Sequence, residues 1–568
     1  MKYVFLVAFI LLLLASLVTW SISPSASETP VIYWVTDSNP ARIDQVKLFH
    51  DWLIKNGHFV TKKFDSRDEL LAFLARQKSF AHAIEHQNQN GKSLVDGTIS
   101  DSNFPIEIKI PVVELRLDMA NNDQSKKVIQ GVSGVASDVI DMFSGGEMRY
   151  YQAMGLLKDI TEVAKPGGYS LDKTYEAVVP ELAIASDDGR LTQYMFPCNV
   201  SVPMYVVNNA TFKQHGIKPP SGAWTIDEFE ATGRAFVTKA NEGRPRRTVF
   251  FAEWFSHDIL RGAFGGSRFN ETLTACTMDD LASRRTLEKY YQWTYVDRLF
   301  PSEADRSSFT TDSGYGGQSA QLLVSDDPDR GQVGLLLSGR WMFILFRQIT
   351  ESRVQMGKTP LDLGAAEPPS SEFRCSKMAT RAAGVYSGSK HPEFAELFLS
   401  FLASEEYNMQ IVRDADALPP DPKYTKIDAY ISPVDFPEEA GVHAPFAEAA
   451  IEIAVGNSYS PFALDSEVSR IEREEASKFM NGLQNLEETL KIQTRLVNDL
   501  IARRLNEDPT LKPRYELLVA RQKQIDEFKS RLVETKKGEP IPDEMKIPRE
   551  LISNPHHLAY YKTIGWIK

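Results

Sequence analysis

The chain has 568 residues, 42% hydrophobic and 25% charged, the balance of a soluble globular protein with material for several domains. Its formal net charge of −12 argues against the cationic surface that non-specific nucleic-acid binding requires. Cys198, Cys276 and Cys375 show no CxxC spacing, which argues against a thiolate zinc module and leaves buried thiols or one disulfide with a cysteine over.

At the start, Met1 and Lys2 precede an apolar run from Tyr3 to Trp20, followed by Ser21, Ser23, Ser25, Ala26 and Ser27. A short positive start, an apolar stretch and a small-residue exit predict a secretory signal over residues 1–27. The run also approaches the length of a bilayer span, so a retained N-terminal anchor is the alternative. Both place the remainder outside the cytoplasm.

Val31–Val35 reads as a compact strand. Asn39 and Pro40 then suit a helix start, Ile43, Val46, Phe49 and Leu53 recur at helical spacing, and Gly57 suits the exit. Residues 61–104 are polar and poorly patterned apart from a helical stretch near Leu70–Leu74, and read as an insertion. Ile106, Ile108 and Ile110 alternate as in a strand, and a further apolar strand ends at Val139 and Ile140. It enters a loop from Asp141 to Gly146, whose glycines permit close backbone approach.

Thr225 and Glu228 form a capping box ahead of Phe229, Phe236 and Val237, and Thr277 with Asp280 is a looser version of the same signal. A further helix is predicted over 392–412. Strands alternating with helices imply an α/β architecture. From Ser466 the pattern becomes helical through 466–505 and 513–535, with a turn at Asp508, Pro509 and Thr510, a hairpin expected to pack on its own chain. An irregular strap carrying Pro540, Pro542, Pro548 and Pro555 closes the sequence.

No HExxH, GxSxG, phosphate-loop or dinucleotide motif is present, and the adjacent pair His556 and His557 does not share a helix face as metal ligands would. No catalytic residue, metal or cofactor is therefore assigned. Trp34, Phe196, Trp254, Trp341 and Tyr386 each stand beside polar or turn-forming residues rather than inside periodic runs. Aromatic faces in such settings stack on the C–H faces of sugars and on flat ligands, whereas a partly buried core role is the alternative for each.

Several segments together carry a resemblance. Gly134, Asp138 and Val139, then Tyr151, Gly155, Leu157, Asp159 and Thr161, are similar to a G-x-x-x-D-V strand followed by Y-x-x-x-G-x-L-x-D-L-T. Asp188, Gly189 and Pro197, with Met204 to Asn209, resemble a crossover element; Gly216, Pro219, Pro220, Trp224 and Thr225 resemble a G-x-x-x-P-P-x-T-W element with its last two residues rearranged. Leu337, Gly339 and Trp341 match an m-x-x-x-G-x-W element. In this order they resemble the extracellular solute-binding family 1 proteins of ABC importers, which include the maltose-binding proteins, over residues 30–60 and 106–500.

The resemblance implies a two-lobed periplasmic-binding-protein fold with an interlobe cleft. Lobe 1 would hold residues 30–198 and 370–428 and lobe 2 residues 199–369 and 429–500, with 501–568 a helical, proline-containing extension. It implies hinge-closing capture of a small ligand, a sugar or oligosaccharide, and delivery to the permease subunits of an ABC importer. Ligand contacts are expected from Trp34, Thr36, Asp37, Asp141, Phe143, Ser144, Phe196, Asn199, Trp254, Arg340, Trp341 and Tyr386, with Asp37 and Arg340 binding ligand hydroxyls. A carbohydrate-active lyase or hydrolase and a membrane-tethered sensor input are the competing functions.

Overall fold

The structure is a computed structural model that describes residues 29–77, 79–85, 104–186, 189–309, 317–533 and 541–568. The expected leader at 1–27 lies outside the described residues, as do 86–103 of the proposed insertion, Asp188 and Pro540. The described chain falls into two compact units. One comprises residues up to Asp123 with Ser137–Val139, the other Gln124–Ala136 with Ile140–Lys568.

In the first unit, β1 (Val31–Val35) leads into a helix over Ala41–Lys55, followed by β2 (Phe59–Phe64), β3 (Ile106–Pro111) and β4 (Glu114–Asp118). The strand β1 runs parallel to β4, Val31 opposite Glu114, and β2 pairs antiparallel with β3, Phe59 opposite Pro111. The stretch expected to be an unpatterned insertion thus begins inside a strand. Phe64, Leu70, Phe73, Phe80 and Ile84 bury themselves against Ile106, Ile108 and Ile110. Its pattern was hidden because Thr61, Lys62 and Lys63 interrupt the apolar alternation; the Lys62 ammonium lies 4.8 Å from the centre of the Phe73 ring.

The second unit holds the remaining strands: β5 (Val139–Met142), the hairpin β6 (Ala183–Ala185) and β7 (Leu191–Gln193), β8 (Met195–Ser201), β9 (Met204–Asn208), β10 (Val249–Ala252), β11 (Gln332–Ser338), β12 (Leu363–Ala366), β13 (Ser376–Lys377), β14 (Ala379–Val385) and β15 (Ala454–Val455). Strands β5, β14 and β8 lie side by side in one sheet, and β10, β11, β9 and β12 in another. Parallel β10 and β11 put Ala252 opposite Leu335, and β9 runs antiparallel to both β11 and β12. The chain passes between the sheets at Val202 and Pro203, from β8 to β9, and again between β12 and β14.

The capping box forms as expected: the Glu228 N–H donates to Thr225 Oγ1 at 3.2 Å and the Thr225 N–H to Glu228 Oε2 at 2.7 Å. The helix they start, Ile226–Ala240, buries Phe229, Phe236 and Val237 with Phe251, Trp293 and Leu335. The looser signal at Thr277 shifts by three residues. Asp280, not Thr277, caps the helix Leu281–Tyr291, accepting the Ser283 N–H at 2.7 Å, while Thr277 Oγ1 donates to the Ser267 carbonyl. The helix expected over 392–412 is two, Pro392–Leu402 and Glu405–Asp414, because Ser404 caps a new start.

The C-terminal hairpin is three helices: Asp465–Met480, Leu486–Glu507 and Lys512–Val533. The first segment breaks at Gly482, and Asn485 caps its second half. Val468, Ile471, Val497, Leu500, Ile501 and Leu518 share one core with Phe269, Leu273 and Met278. The strap ends in a helix, Pro555–Thr563, whose proline occupies the first turn behind the capping side chain of Asn554. Ile525, Leu532, Ile547, Ile552 and Tyr561 close a further core beneath it. All three cysteines are buried thiols outside any disulfide, and no described helix is long and apolar enough to cross a membrane.

Candidate ligand-binding site

In the first unit, Trp34 and Thr36 at the end of β1 are fully buried. Asp37, just beyond, is held by Arg42, whose Nε and Nη2 donate to its two oxygens at 2.8 and 3.1 Å. A charge-assisted fork of this kind fixes the loop in one geometry.

In the second unit, the expected residues gather at the carboxyl ends of strands, where open α/β sheets bind ligands. At the end of β5, Asp141 is buried, whereas Phe143 is 42% exposed. Ser144 accepts the Glu147 N–H at 3.1 Å and so caps the helix Gly145–Ala153. At the end of β10, Trp254 is 37% exposed. Beyond β11 stand Arg340 and half-buried Trp341. The parallel register of β10 and β11 brings Trp254 and Trp341 to one edge of their sheet. Gly339 is demanded by close approach: a Cβ there would lie 2.0 Å from Ser201 Oγ and 2.7 Å from Trp341 Cδ1.

The other expected residues are built into the framework. Phe196 is fully buried, edge-on to Tyr169 at 6.1 Å. Tyr386 donates its hydroxyl to the Gly131 carbonyl at 2.6 Å. Asn199 donates to Asp416 at 3.0 Å. Arg340, expected to meet ligand hydroxyls, is 1% exposed. Its Nε–H donates to His443 Nδ1, Nη1 to the Ala417 carbonyl at 2.7 Å and Nη2 to the Val412 carbonyl at 2.9 Å, and its guanidinium lies 4.5 Å from the Tyr430 ring centre. Burial lowers its pKa to about 10. His443 accepts from Arg340 and faces Glu439 through Nε2 at 2.8 Å; burial, then the Arg340 charge, lowers its pKa to about 4. Ala415 and Ala417, with φ of +56° and +64°, are strained in the left-handed region, and the hold on Ala417 helps keep them there.

The sequence profile of the bacterial extracellular solute-binding proteins matches residues 113–409, more than half of the chain. The chain belongs to this family. Family and structural neighbours alike are substrate-binding proteins rather than enzymes. A comparison with curated protein sequences finds no match. Among solved structures, the solute-binding protein resembles an ABC substrate-binding protein of Listeria monocytogenes in complex with cycloalternan, at 18% identity and TM-score 0.59, over 84% of this chain and 100% of that one. It also resembles a cyclic α-maltosyl-1,6-maltose binding protein of Arthrobacter globiformis (15% identity, TM-score 0.55, 83% of this chain and 99% of that one). A third likeness is the maltose/maltodextrin-binding domain of Bdellovibrio bacteriovorus bound to maltotriose (14% identity, TM-score 0.54, 83% and 100%). At these identities the likeness establishes the fold, the two-lobed periplasmic-binding-protein architecture, here with added C-terminal helices.

Two residues of the solute-binding protein escaped sequence reasoning. Arg381, in β14, gathers Asp141 (2.8 Å), Asp416 (3.6 Å) and the Tyr407 hydroxyl, and so joins Asp141 and Asn199 in one buried network. Burial opposes its charge, but Cys198, Asp141, Tyr407 and Asp416 raise its pKa overall. Its signal was a lone arginine amid Ala379–Val385, an otherwise uncharged and mostly apolar strand. Glu253, beside Trp254, accepts the Ser319 hydroxyl at 2.9 Å and pairs with Arg306 at 3.4 Å, while its buried Oε2 has no hydrogen-bond partner among the described residues. Burial raises its pKa against the pull of Ser319 and Arg306. The Ser338 hydroxyl, at the end of β11, is likewise buried without a partner among them.

Proposed function

We propose that this solute-binding protein captures a small carbohydrate and presents it to an ABC importer, with Phe143, Ser144, Glu253, Trp254 and Trp341 as its contacts in the second unit. The carrying observation is at the ends of β10 and β11, where Glu253 Oε2 and the Ser338 hydroxyl have no hydrogen-bond partner among the described residues, on the same sheet edge as two accessible tryptophans. An aromatic face for C–H surfaces beside a carboxylate for hydroxyls is the combination a sugar requires. An unmade buried hydrogen bond costs about 1–3 kcal/mol, so a hydroxyl donated there contributes strongly to affinity. Cycloalternan, cyclic α-maltosyl-1,6-maltose and maltotriose, bound by the structural neighbours, support glucose-type oligosaccharides as the first class to test. The lobe boundaries and the export leader expected from the sequence belong to this reading, as does a permease partner. Thermal-shift screening with these three sugars tests it: a ligand that binds only the folded state raises the melting temperature, and does so increasingly as its free concentration exceeds its Kd. Absence of a shift with any of them, or with a wider saccharide panel, would remove sugars as the substrate class.

A further inference from the structure

The last helix, Pro555–Thr563, rests on the chain crossing between β12 and β14. Phe373 and Cys375 of that crossing form one apolar cluster with Val455 of β15, and Ala559 and Tyr560 of the helix pack against it. His556 stands edge-on to Phe373 at 5.7 Å and is stacked with Tyr560 at 6.4 Å. Two glycines open its seat: a Cβ at Gly262 would lie 3.1 Å from His556 Cε1, and one at Gly265 would lie 2.8 Å from Tyr560 Cζ. His556 is fully buried there, and neither of its ring nitrogens has a hydrogen-bond partner among the described residues. The charges acting on it are positive, Lys377 of β13 and Arg261 of the helix His257–Ala263, with His557 beside it on its own helix. Asp258 and Glu472 are bonded to Arg261, Glu372 faces Tyr560, and burial raises the Cys375 pKa to about 12, so this thiol supplies no negative charge. His556 also lies in the first turn of its helix, where the macrodipole disfavours a cation. His557 differs. Its Nε2 lies 3.2 Å from the Phe269 carbonyl, and Glu271 and Asp280 offset a charge on it, against Lys529.

We propose that Pro555–Thr563 is an acid-sensitive latch on this crossing, released by protonation of His556 while the two sheets stay folded. A neutral imidazole is tolerated in the seat, whereas an imidazolium would sit among cations with no acceptor, and release returns it to water. Burial, then the Lys377 charge, hold the docked His556 pKa well below the ordinary 6.5. The released imidazole therefore takes up a proton below pH 6.5 and the docked one does not. Docking is unaffected above pH 6.5 and weakens as pH falls, by up to about tenfold per unit. Glu271, which also anchors the extension, stays charged in the upper part of this window, its pKa being about 2. Release uncovers Phe373 and Cys375, apolar surface on a segment that joins the two sheets.

Hydrogen exchange read by mass spectrometry on the full chain at about pH 7.5 and about pH 5, each rate divided by that of the unstructured chain at the same pH, tests the latch. Amides of residues 555–567 should lose protection by about thirtyfold between the two, the factor for one group of pKa 6.5 that is protonated only when released. Those of β9 and β11 should stay more strongly protected at both. His556→Gln or, if that undocks the helix at the higher pH, His556→Phe should bring the factor to within about threefold. Equal protection of residues 555–567 at both pH values in the parent would overturn the proposal. So would loss of protection in step with β9 and β11, as in global unfolding, or a non-titrating variant that keeps the parent's factor. No sugar enters the experiment, so its outcome is independent of the ligand reading.

Discussion

Arg340 and Trp341 are neighbours in the chain with opposite fates. Trp341 and Trp254 keep accessible ring surface at one sheet edge, so Trp254→Ala should weaken sugar binding by about tenfold to a hundredfold with little change in melting temperature. Calorimetric titration showing unchanged affinity would remove Trp254 from the site. Arg340→Met should do the reverse. It leaves His443 Nδ1 and the Val412 and Ala417 carbonyls without their donor, a loss of about 3 kcal/mol or more, seen as a fall of several degrees in melting temperature. Direct ligand contact by Arg340 would instead appear as lost affinity in a protein of unchanged stability. His443 adds a pH dependence with a definite sign. Its folded pKa of about 4 lies below the ordinary 6.5, so below pH 6.5 the unfolded chain binds a proton that the folded chain refuses. Its contribution, at most about 3 kcal/mol, is present above pH 6.5 and is lost as pH falls towards 4. His443→Gln should flatten that part of the acid limb; an unchanged pH–stability curve would show that His443 is not the titrating group. None of this was legible in the sequence, because the partners of Arg340 lie 71 to 103 residues away. A Gly-x-Trp element reports a tight strand end, but not which of the two following side chains turns inward.

Elements with local signals were legible. The capping box at Thr225 encodes its helix within four residues, and Thr225→Ala should cost about 1 kcal/mol of stability, measurable by denaturant titration. The strand Phe59–Phe64 was not legible, since its apolar face is completed by β3 across the proposed insertion. The C-terminal extension was legible as helix but not as an attachment. Its anchor is Glu271, which accepts from Lys529 at 2.6 Å, Gln522 at 2.8 Å and the Tyr561 hydroxyl. Burial opposes the Glu271 charge, but His557, Lys529 and Tyr561 lower its pKa to about 2. Truncation after Asp508 removes all four of these partners, Gln522, Lys529, His557 and Tyr561, and uncovers Phe269, Leu273 and Leu500, so the truncated protein should melt at lower temperature yet keep its ligand affinity. Affinity lost at unchanged melting temperature would assign the extension to the binding site instead.

At the scale of the whole molecule, alternating strands and helices indicated an α/β fold, and the ordered motifs from Gly134 to Trp341 indicated the family that the profile match over 113–409 establishes. The proposed contact residues were only partly legible, because they stand at the ends of strands far apart in sequence. Of the aromatic residues singled out in the second unit, Trp254 and Trp341 keep access to solvent, while Phe196 and Tyr386 are packed into the framework. The central claim is capture of a carbohydrate without turnover. Isothermal titration of the purified chain with maltotriose or cycloalternan, followed by chromatography of the recovered sugar, tests it most directly. The account predicts saturation at one sugar per chain and recovery of the sugar unaltered after prolonged incubation; cleaved or rearranged sugar, or no heat with any saccharide tried, would contradict it.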